Sequence, residues 1–171
     1  MRAETWRWIH AVLLLGCCGP AMANEGSAHD YLRLYSDLTA RHDATVISLY
    51  GDQARVRVSY WMGNELIQSA ELTGDDWRQS LRSGWYDNTN RLEASHFEDV
   101  RVAKGGHGQL TIMATRVSDE RCYRDSGYAV KVEKLGTGLF RILEERINVQ
   151  LSASCGRPPQ IDARSTLRRM P

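Results

Sequence analysis

The sequence predicts an α+β fold, in which helices precede and interrupt an antiparallel sheet. Two observations concern helices: an apolar stripe at helical spacing lies near the start of the 171-residue chain, and a second amphipathic segment lies in mid-chain. The third observation is a succession of long segments in which apolar and polar residues alternate. Since these strands follow one another instead of alternating with helices, their sheet is expected to be antiparallel.

The segment HDYLRLYSDLTARHD predicts the first helix, because its apolar residues recur at i, i+3, i+4 and i+7. The segment after it, ATVISLY, is ambiguous. Its β-branched residues favour a strand, whereas Asp43 before it would cap a short second helix. The apolar stripe of the first helix consists of Tyr31, Leu34, Tyr35 and Leu38.

A hairpin and a mid-chain helix are predicted next. ARVRVSYWM alternates between apolar and polar residues, and ELIQSAEL returns after a Gly-Asn turn. In TGDDWRQSLRSG, Thr73 can cap a helix whose first turn carries Asp75 and Asp76, and Gly84 is expected to end it. The remaining strands are predicted in RLEASHFEDVRVAK, QLTIMATRV, YAVKVEKL and LFRILEERINVQL.

The order of these elements resembles the nuclear-transport-factor-2-like family, also called SnoaL-like or cystatin-like. The similar features are the opening helix, the stretch LYGDQARVRV leading into a hairpin, the helix TGDDWRQSL and the final strands ending GLFRILEERINV. They cover most of residues 29–150. The resemblance implies a strongly bent antiparallel sheet that wraps the N-terminal and mid-chain helices into a cone with an open mouth.

Residues 1–23 have the layout of a secretory signal peptide. Arg2 and Arg7 precede a short apolar run, and the small-x-small sequence AMA follows as a cleavage site. The run is far shorter than the roughly 20 residues that span a bilayer, and no later stretch is apolar enough to be a membrane helix. We therefore expect export of a single domain at 24–155, followed by a basic, disordered tail at 156–171.

The same N-terminal segment also resembles a lipobox in the sequence LLGC, in which Cys17 would be lipidated. The cysteine count favours the other cut. Cleavage after Ala23 leaves two cysteines that can pair, whereas cleavage before Cys17 leaves Cys18 as an odd thiol in an oxidising compartment. The sequence thus favours a soluble periplasmic protein, and a lipoprotein anchored through Cys17 is the alternative.

Cys122 and Cys155 are expected to form one disulfide in the exported chain. If the last hairpin turns near Gly136, Cys122 lies opposite Leu151, close along the chain to Cys155. The link would close a loop of about 34 residues and stabilise the fold by about 3–4 kcal/mol in the chain-entropy model. Metal binding is disfavoured, because neither a Cys-x-x-Cys motif nor a neighbouring histidine accompanies these cysteines.

The charge balance argues against nucleic acid as a partner. The formal net charge is +1, and removal of the signal peptide takes away two arginines and one glutamate, which leaves equal numbers of basic and acidic residues. A neutral chain has no broad attraction for phosphate.

Four polar residues are candidates for catalysis. Cone-fold enzymes that resemble ketosteroid isomerase need an acid/base group in an apolar pocket. By strand parity, His96, Glu98, Arg116 and Glu144 share faces with apolar residues. His96 would act as base, Glu98 or Glu144 as its orienting carboxylate, and Arg116 as anion or oxyanion partner. Phe97 argues for the opposite face, and cross-strand Arg–Glu pairs are commonly solvated ion pairs.

Aromatic residues offer a second kind of site. Trp85 and Tyr86 follow the mid-chain helix, near the expected mouth of the cone. Together with Trp77 and Tyr35 they would bind a small hydrophobic ligand or a partner protein. Packing between helix and sheet is the alternative use of the same side chains.

The sequence therefore predicts an exported, non-catalytic cone-fold protein that binds a partner protein or a small hydrophobic ligand, in an accessory or inhibitory role in the cell envelope. The alternative is a small-molecule isomerase or dehydratase that uses His96 and a carboxylate. No cofactor or metal is expected, because no nucleophile elbow, phosphate loop or metal motif occurs. Homodimers through the open sheet face occur in the resembled family, and the sequence leaves this arrangement open.

Overall fold

The computed structural model describes residues 19–85, 92–136 and 138–155. Within them, helices and strands are mixed in an α+β order. No helix in this described part of the chain is long and apolar enough to cross a membrane. The elements are helix α1 at Gly19–Ala40, a 3₁₀ helix at Ala44–Leu49, strands β1 at Tyr50–Met62 and β2 at Glu65–Thr73, helix α2 at Gly74–Gly84, and strands β3 at Ser95–Lys104, β4 at Gln109–Ser118, β5 at Tyr123–Lys134 and β6 at Phe140–Gln150, with a 3₁₀ turn at Gly106–Gly108 between β3 and β4.

The strands form one six-stranded sheet in the order β2-β1-β6-β5-β4-β3. Neighbours are antiparallel except β1 and β6, which are parallel. The parallel pair arises because the meander from β3 to β6 brings the chain back beside β1 in the direction of β1. The α+β class is confirmed, and the sheet differs from the predicted antiparallel arrangement at this one pair.

Register shifts interrupt the strand pairs and bend the sheet. A β-bulge kinks its strand and turns the side chains that follow it to the opposite face. The sheet therefore curls around the helices, and a face assigned by counting along the sequence holds only as far as the next bulge. In the long meander the extra residue lies between Glu98 and Arg101 of β3, between Asp125 and Tyr128 of β5, and between Ile142 and Glu144 of β6.

Helix α1 buries its apolar stripe against the concave face of the sheet. Tyr31, Tyr35 and Leu38 are buried at the predicted spacing. The helix begins earlier than the sequence predicts, and Ala28 is the first buried side chain that is described in it. Cleavage after Ala23 would therefore leave the packed part of α1 intact.

The ambiguous segment after α1 is a 3₁₀ helix, so the capped helix is the correct alternative. Asp43 caps it, because its Oδ1 accepts a hydrogen bond from the backbone N–H of Thr45 at 2.9 Å. Val46 and Ile47, whose β-branched side chains favoured a strand, are buried in the core.

Helix α2 confirms the predicted mid-chain helix. Thr73 Oγ1 accepts a hydrogen bond from the N–H of Asp76 at 3.2 Å, and the helix ends at Gly84. Its start lies against β1 so closely that a Cβ on Gly74 would be 1.8 Å from the carbonyl oxygen of Gly51. Only glycine fits this junction, which fixes α2 on the sheet.

The predicted disulfide joins Cys122 and Cys155, whose Cα atoms are 5.2 Å apart. Cys122 lies in the turn between β4 and β5, where its N–H donates to the carbonyl of Ser118 at 2.8 Å. The chain after β6 continues beside β1, since the N–H of Leu151 donates to the carbonyl of Trp61 at 2.8 Å. The disulfide thus ties the end of the described chain to the β4–β5 turn.

Candidate functional site

A buried carboxylate, Glu145, lies on the concave face of the sheet and accepts hydrogen bonds from two tyrosines. The residue is only 3% exposed. The hydroxyl of Tyr50 donates to Oε2 at 2.5 Å, and the hydroxyl of Tyr128 donates to Oε1 at 2.8 Å. Because β1, β6 and β5 are consecutive in the sheet, the start of β1 and the middle of the two other strands meet here. Both carboxylate oxygens therefore have a donor.

Two tyrosines from α1 cover this carboxylate. The rings of Tyr31 and Tyr35 are 5.9 Å apart, and both side chains are buried. The Tyr31 hydroxyl has no hydrogen-bond partner among the described residues. Trp77 packs edge-on against Tyr50, and its indole N–H likewise lacks a partner among them. We call the following set the tyrosine–glutamate cluster: Tyr31, Tyr35, Tyr50, Tyr128 and Glu145.

Burial determines the protonation of this cluster. Burial raises the pKa of Glu145, and the hydrogen bonds from Tyr50 and Tyr128 and the charge of Arg116 offset the rise only in part. Burial, followed by the negative charge of Glu145, raises the pKa of all four tyrosines well above the ordinary value. The tyrosines therefore stay neutral, and Glu145 ionises less readily than an exposed glutamate.

A second buried network surrounds Arg116, which points to the concave face as the sequence predicts. Its guanidinium donates to the hydroxyl of Tyr123 at 2.7 Å, to Oγ of Ser95 at 3.3 Å and to the carbonyl of Asn148 at 3.2 Å. The Tyr123 hydroxyl in turn donates to Oε2 of Glu93 at 3.0 Å. Within the described residues no carboxylate forms an ion pair with Arg116. Hydrogen bonds to neutral oxygen atoms therefore provide most of the solvation of its buried charge.

The tyrosine–glutamate cluster has the groups of an acid/base site but not the access. A carboxylate of raised pKa next to hydroxyl donors is a recognised arrangement for moving protons. Here both oxygens of Glu145 are occupied, and each member of the cluster is 3% exposed or less. A substrate atom cannot reach the carboxylate in this conformation. A fully bonded polar group of this kind instead specifies a single packing of the core.

The structure places His96 and Glu98 on the convex face, so the predicted face is wrong for both. His96 Nδ1 lies 2.7 Å from Oδ1 of Asp119, its Nε2 lies 3.4 Å from Oε1 of Glu98, and Glu98 also pairs with Arg124. Phe97 between them packs inward against the tyrosines of α1 and β5. The prediction assumed that the alternation of apolar residues in the second half of β3 continues back to His96. The bulge in β3 inverts this alternation, so His96 and Glu98 face outward.

Glu144 also lies on the convex face, where it forms ion pairs. Its Oε1 is 2.6 Å from Nη2 of Arg55 and 3.8 Å from Nζ of Lys131. The structure therefore does not bring Glu144 together with Arg116. Of the four predicted catalytic residues, Arg116 alone points into the cone.

The predicted aromatic ligand site is part of the core in the described residues. Tyr35, Trp77 and Trp85 are all buried, and the indole N–H of Trp85 donates to the carbonyl of His42 at 3.2 Å. These three side chains pack the helices against the sheet, which is the alternative that the sequence leaves open. Tyr86 lies outside the described residues.

Sequence reasoning missed Glu145, although the sequence carries a sign of it. The apolar residues of β6 are first at even positions, Phe140 and Ile142, and then at odd positions, Ile147 and Val149. Such a change of parity indicates a bulge between the two pairs. A count that restarts after the bulge places Glu145 inside.

Metal ligation has no candidate in the part of the chain that the structure describes: no three His, Cys, Asp or Glu side chains are grouped so that they could hold an ion. Two of the histidines lie beside carboxylates near the surface, His96 as above and His42 with Nδ1 3.7 Å from Oε1 of Glu120.

The fold and the site define a cone-fold protein whose concave face is a packed core. No protein-family model matches this chain, and no curated protein matches it. Solved structures do match it. A nuclear-transport-factor-2-like protein of unknown function from Shewanella oneidensis has a TM-score of 0.51 at 12% identity and covers 71% of this chain and 96% of its own. A second such protein, from Pseudomonas putida, has a TM-score of 0.50 at 14% identity and covers 74% and 86%.

A third match is a protein from Novosphingobium aromaticivorans that is assigned as the beta subunit of an aromatic-ring-hydroxylating dioxygenase. It has a TM-score of 0.50 at 14% identity and covers 80% of this chain and 93% of its own. This chain therefore has the nuclear-transport-factor-2-like fold, as the order of its elements predicts. At these identities the likeness concerns the fold and not the activity.

Proposed function

We propose that the mature chain is an exported, non-catalytic cone-fold protein that acts in the cell envelope by binding a partner protein. One observation carries the proposal: Glu145, a carboxylate of raised pKa on the concave face of the sheet, is not accessible to a substrate. Its two oxygens accept hydrogen bonds from Tyr50 and Tyr128 inside a cluster that is almost entirely buried.

The same packing favours a partner protein over a small hydrophobic ligand. A ligand site needs an apolar surface that solvent can reach before the ligand binds. Tyr35, Trp77 and Trp85 use their ring surfaces in the core instead. The surface of the described residues, in contrast, retains exposed large apolar side chains, among them Leu66 and Leu139, which a partner can cover.

Export rests on the N-terminal sequence and on the disulfide. A positive start, a short apolar run and a small-residue cleavage site are the features of a secretory signal. The disulfide between Cys122 and Cys155 fits an oxidising compartment. The mass of the mature N-terminus tests this part: an unmodified chain starting at Asn24 supports a soluble periplasmic protein, and an acylated Cys17 shows a lipoprotein.

A second candidate function is a small-molecule isomerase or dehydratase, and the raised pKa of Glu145 is the observation that favours it. Its base would be Glu145 in place of His96, and the hydroxyls of Tyr50 and Tyr128 would be the hydrogen-bond donors. Catalysis of this kind requires an open conformation in which the α1 tyrosines leave the carboxylate.

Native mass spectrometry of the protein made in a bacterial periplasm separates the two candidates. We expect the mass of the polypeptide alone, and no thermal stabilisation by a panel of aromatic and steroid-sized compounds. The matched control is Glu145→Gln, which keeps the shape of the side chain. A small molecule that binds one to one and is lost in E145Q would contradict the non-catalytic proposal and support the enzyme.

A further inference from the structure

The convex face of the sheet carries a row of side chains that crosses five strands. Cross-strand register pairs Arg101 with Met113, Met113 with Ala129, Ala129 with Arg146, and Arg146 with Arg57. Residues that are paired in register point to the same side of a sheet. The two neighbours of Arg57 in β1 are buried and point inward. Arg57 and the residues paired with it along the row therefore point to the convex side. We call this set the arginine row.

The arginine row has more positive charge than its neighbours neutralise. Arg57 is 2.7 Å from Oε2 of Glu71. Arg146 donates a hydrogen bond to the carbonyl of Gly127. Among the residues that the structure describes, neither Arg146 nor Arg101 forms an ion pair. Arg57 and Arg146 are direct register neighbours, an arrangement of like charges that costs stability.

The adjoining row of the same face is arranged differently. There Glu144 lies between Arg55 and Lys131 and contacts both, and a further pair joins Arg141 to Glu133. These charges are neutralised within the sheet. In the arginine row, by contrast, Arg101 and Arg146 flank an exposed methionine. The acidic group beside them is the exposed Asp99, whose Oδ2 accepts a hydrogen bond from Thr115 at 3.2 Å.

The dimensions of the row suit one extended segment of a partner. Neighbouring strands are about 4.8 Å apart, so four strand intervals from Arg101 to Arg57 span about 19 Å, the length of about six extended residues. Met113 is 40% exposed, and in the row Met113 and Ala129 lie between Arg101 and Arg146. Arginine binds carboxylates with two parallel hydrogen bonds, which gives geometry as well as charge.

We propose that the arginine row binds a protein partner through an acidic segment whose carboxylates flank an apolar side chain that packs on Met113. This deepens the proposed function and rests on it, because it assumes that the protein acts by binding a partner. A second copy of the chain is a poor occupant, since two arginine rows would face each other.

Polyanions fit the face less well than a peptide does. A membrane surface or a nucleic acid presents negative charge over a wide area, and Glu71, Glu144 and Glu133 on the same face would repel it. A short segment can place its carboxylates on the arginines alone. Local complementarity of this kind gives specificity to a partner.

The first test measures binding of fluorescent decapeptides that carry three Asp or Glu residues around a central leucine. We expect the acidic peptides to bind the mature protein, to bind more weakly as salt rises, and to bind Arg101→Glu/Arg146→Glu at least about tenfold more weakly. The matched control is Arg33→Glu/Arg82→Glu, which makes the same change of charge at two exposed helix residues and should bind like the parent protein. Thermal unfolding of both double variants verifies that they are folded.

Equal binding of the acidic peptides to R101E/R146E and to the parent protein, or no binding of them at all, would overturn the arginine row as a docking site. Peptides with Asn and Gln in place of Asp and Glu should not bind; if they do, charge recognition is refuted. Phosphatidylglycerol vesicles and duplex DNA are the polyanion probes, and binding of either one that exceeds peptide binding would assign the row to that class instead.

A second measurement separates failure of this proposal from failure of the proposed function. A photocrosslinking amino acid is placed at Met113, and in a parallel strain at the exposed Leu139 outside the row. A protein captured at Met113 whose purified acidic segment binds the parent chain but not R101E/R146E supports the arginine row. Capture at Leu139 alone would refute the row and leave partner binding standing. A small molecule bound at Glu145 would refute the proposed function whatever the peptides do.

Discussion

Two consecutive residues of β6 show how differently the two faces of the sheet use the same side chain. The Glu144 side chain is 43% exposed and pairs with Arg55 on the convex face. Glu145, next to it, is 3% exposed and accepts hydrogen bonds from Tyr50 and Tyr128 on the concave face. The concave carboxylate is part of the folded core, whereas the convex one is a solvated charge that a partner can reach.

The difference teaches that polar residues inside this cone do not by themselves indicate catalysis. Buried polar groups need complete hydrogen bonding, and when they have it they fix one packing of the core. Charges on the convex face are screened by solvent and contribute little to stability, so they are free to serve recognition. The predictions below ask whether the two faces differ in this way.

The largest effect is expected from truncating Glu145, with the same truncation of its neighbour Glu144 as the control. Glu145→Ala leaves the hydroxyls of Tyr50 and Tyr128 without an acceptor inside the core, so it should cost about 3–5 kcal/mol of unfolding free energy. Glu144→Ala on the convex face is the matched control and should change little. Denaturant titration measures both; similar losses for the two variants would mean that the faces do not differ.

The next effect concerns the tyrosine donors. Tyr50→Phe and Tyr128→Phe each remove one hydrogen bond to a buried carboxylate and should each lower the unfolding free energy by about 1.5–3 kcal/mol. Tyr123→Phe gives a comparison in the neighbouring network around Arg116. Urea unfolding is the measurement. If Y50F and Y128F are as stable as the parent protein, the cluster does not hold the fold together.

The pH dependence of stability should show the raised pKa of Glu145. Below its ordinary value of 4.5 the group is protonated in the folded and unfolded states, and its contribution is fully present. As pH rises above this value, Glu145 ionises first in the unfolded state, which stabilises the unfolded state relative to the folded one. The free energy of unfolding therefore falls until the pH exceeds the raised pKa of the folded state.

The variant Glu145→Gln cannot ionise and supplies the control. The parent protein should therefore lose stability relative to E145Q as pH rises above 4.5, with a difference that levels off above the folded pKa. Urea titrations at several pH values measure it. A difference that is the same at every pH, or one that grows in the opposite direction, would rule out a buried carboxyl of raised pKa.

The smallest effect is expected in the arginine row. Arg57→Ala, Glu71→Ala and the double variant test the ion pair between Arg57 of the row and Glu71 of β2. Exposed pairs contribute little, so a double-mutant cycle on stability should yield a coupling close to experimental error. Binding of acidic peptides to Arg57→Ala should nevertheless fall. A strong coupling on stability without loss of peptide binding would make this pair structural.

Elements could be predicted from the sequence where local chemistry decides them. The caps Asp43 and Thr73 and the spacing of Tyr31 and Tyr35 act within a few residues, so the helices follow from them. The disulfide followed from a count of cysteines. The parallel pairing of β1 with β6 depends on where a distant segment returns, and no local pattern encodes it.

The concave site could be predicted only in part, because bulges decide which face each side chain occupies. Arg116 was placed on the correct face, because the apolar residues of β4 alternate without interruption as far as Arg116. His96 and Glu144 were placed on the wrong face, and Glu145 was missed, because a single extra residue in a strand inverts the faces after it. Burial of the aromatic residues was one of two uses that their sequence allowed.

A crystal structure of the mature protein purified from a bacterial periplasm, at a resolution that shows ordered water, tests the central claim most directly. We predict that the hydroxyls of Tyr50 and Tyr128 contact Glu145, that the tyrosines of α1 cover it, and that no electron density for a small molecule lies on the concave face. Density for a small molecule on Glu145 or Arg116, or a chain of waters that leads from Glu145 to the surface, would contradict the claim that the cone is a sealed core.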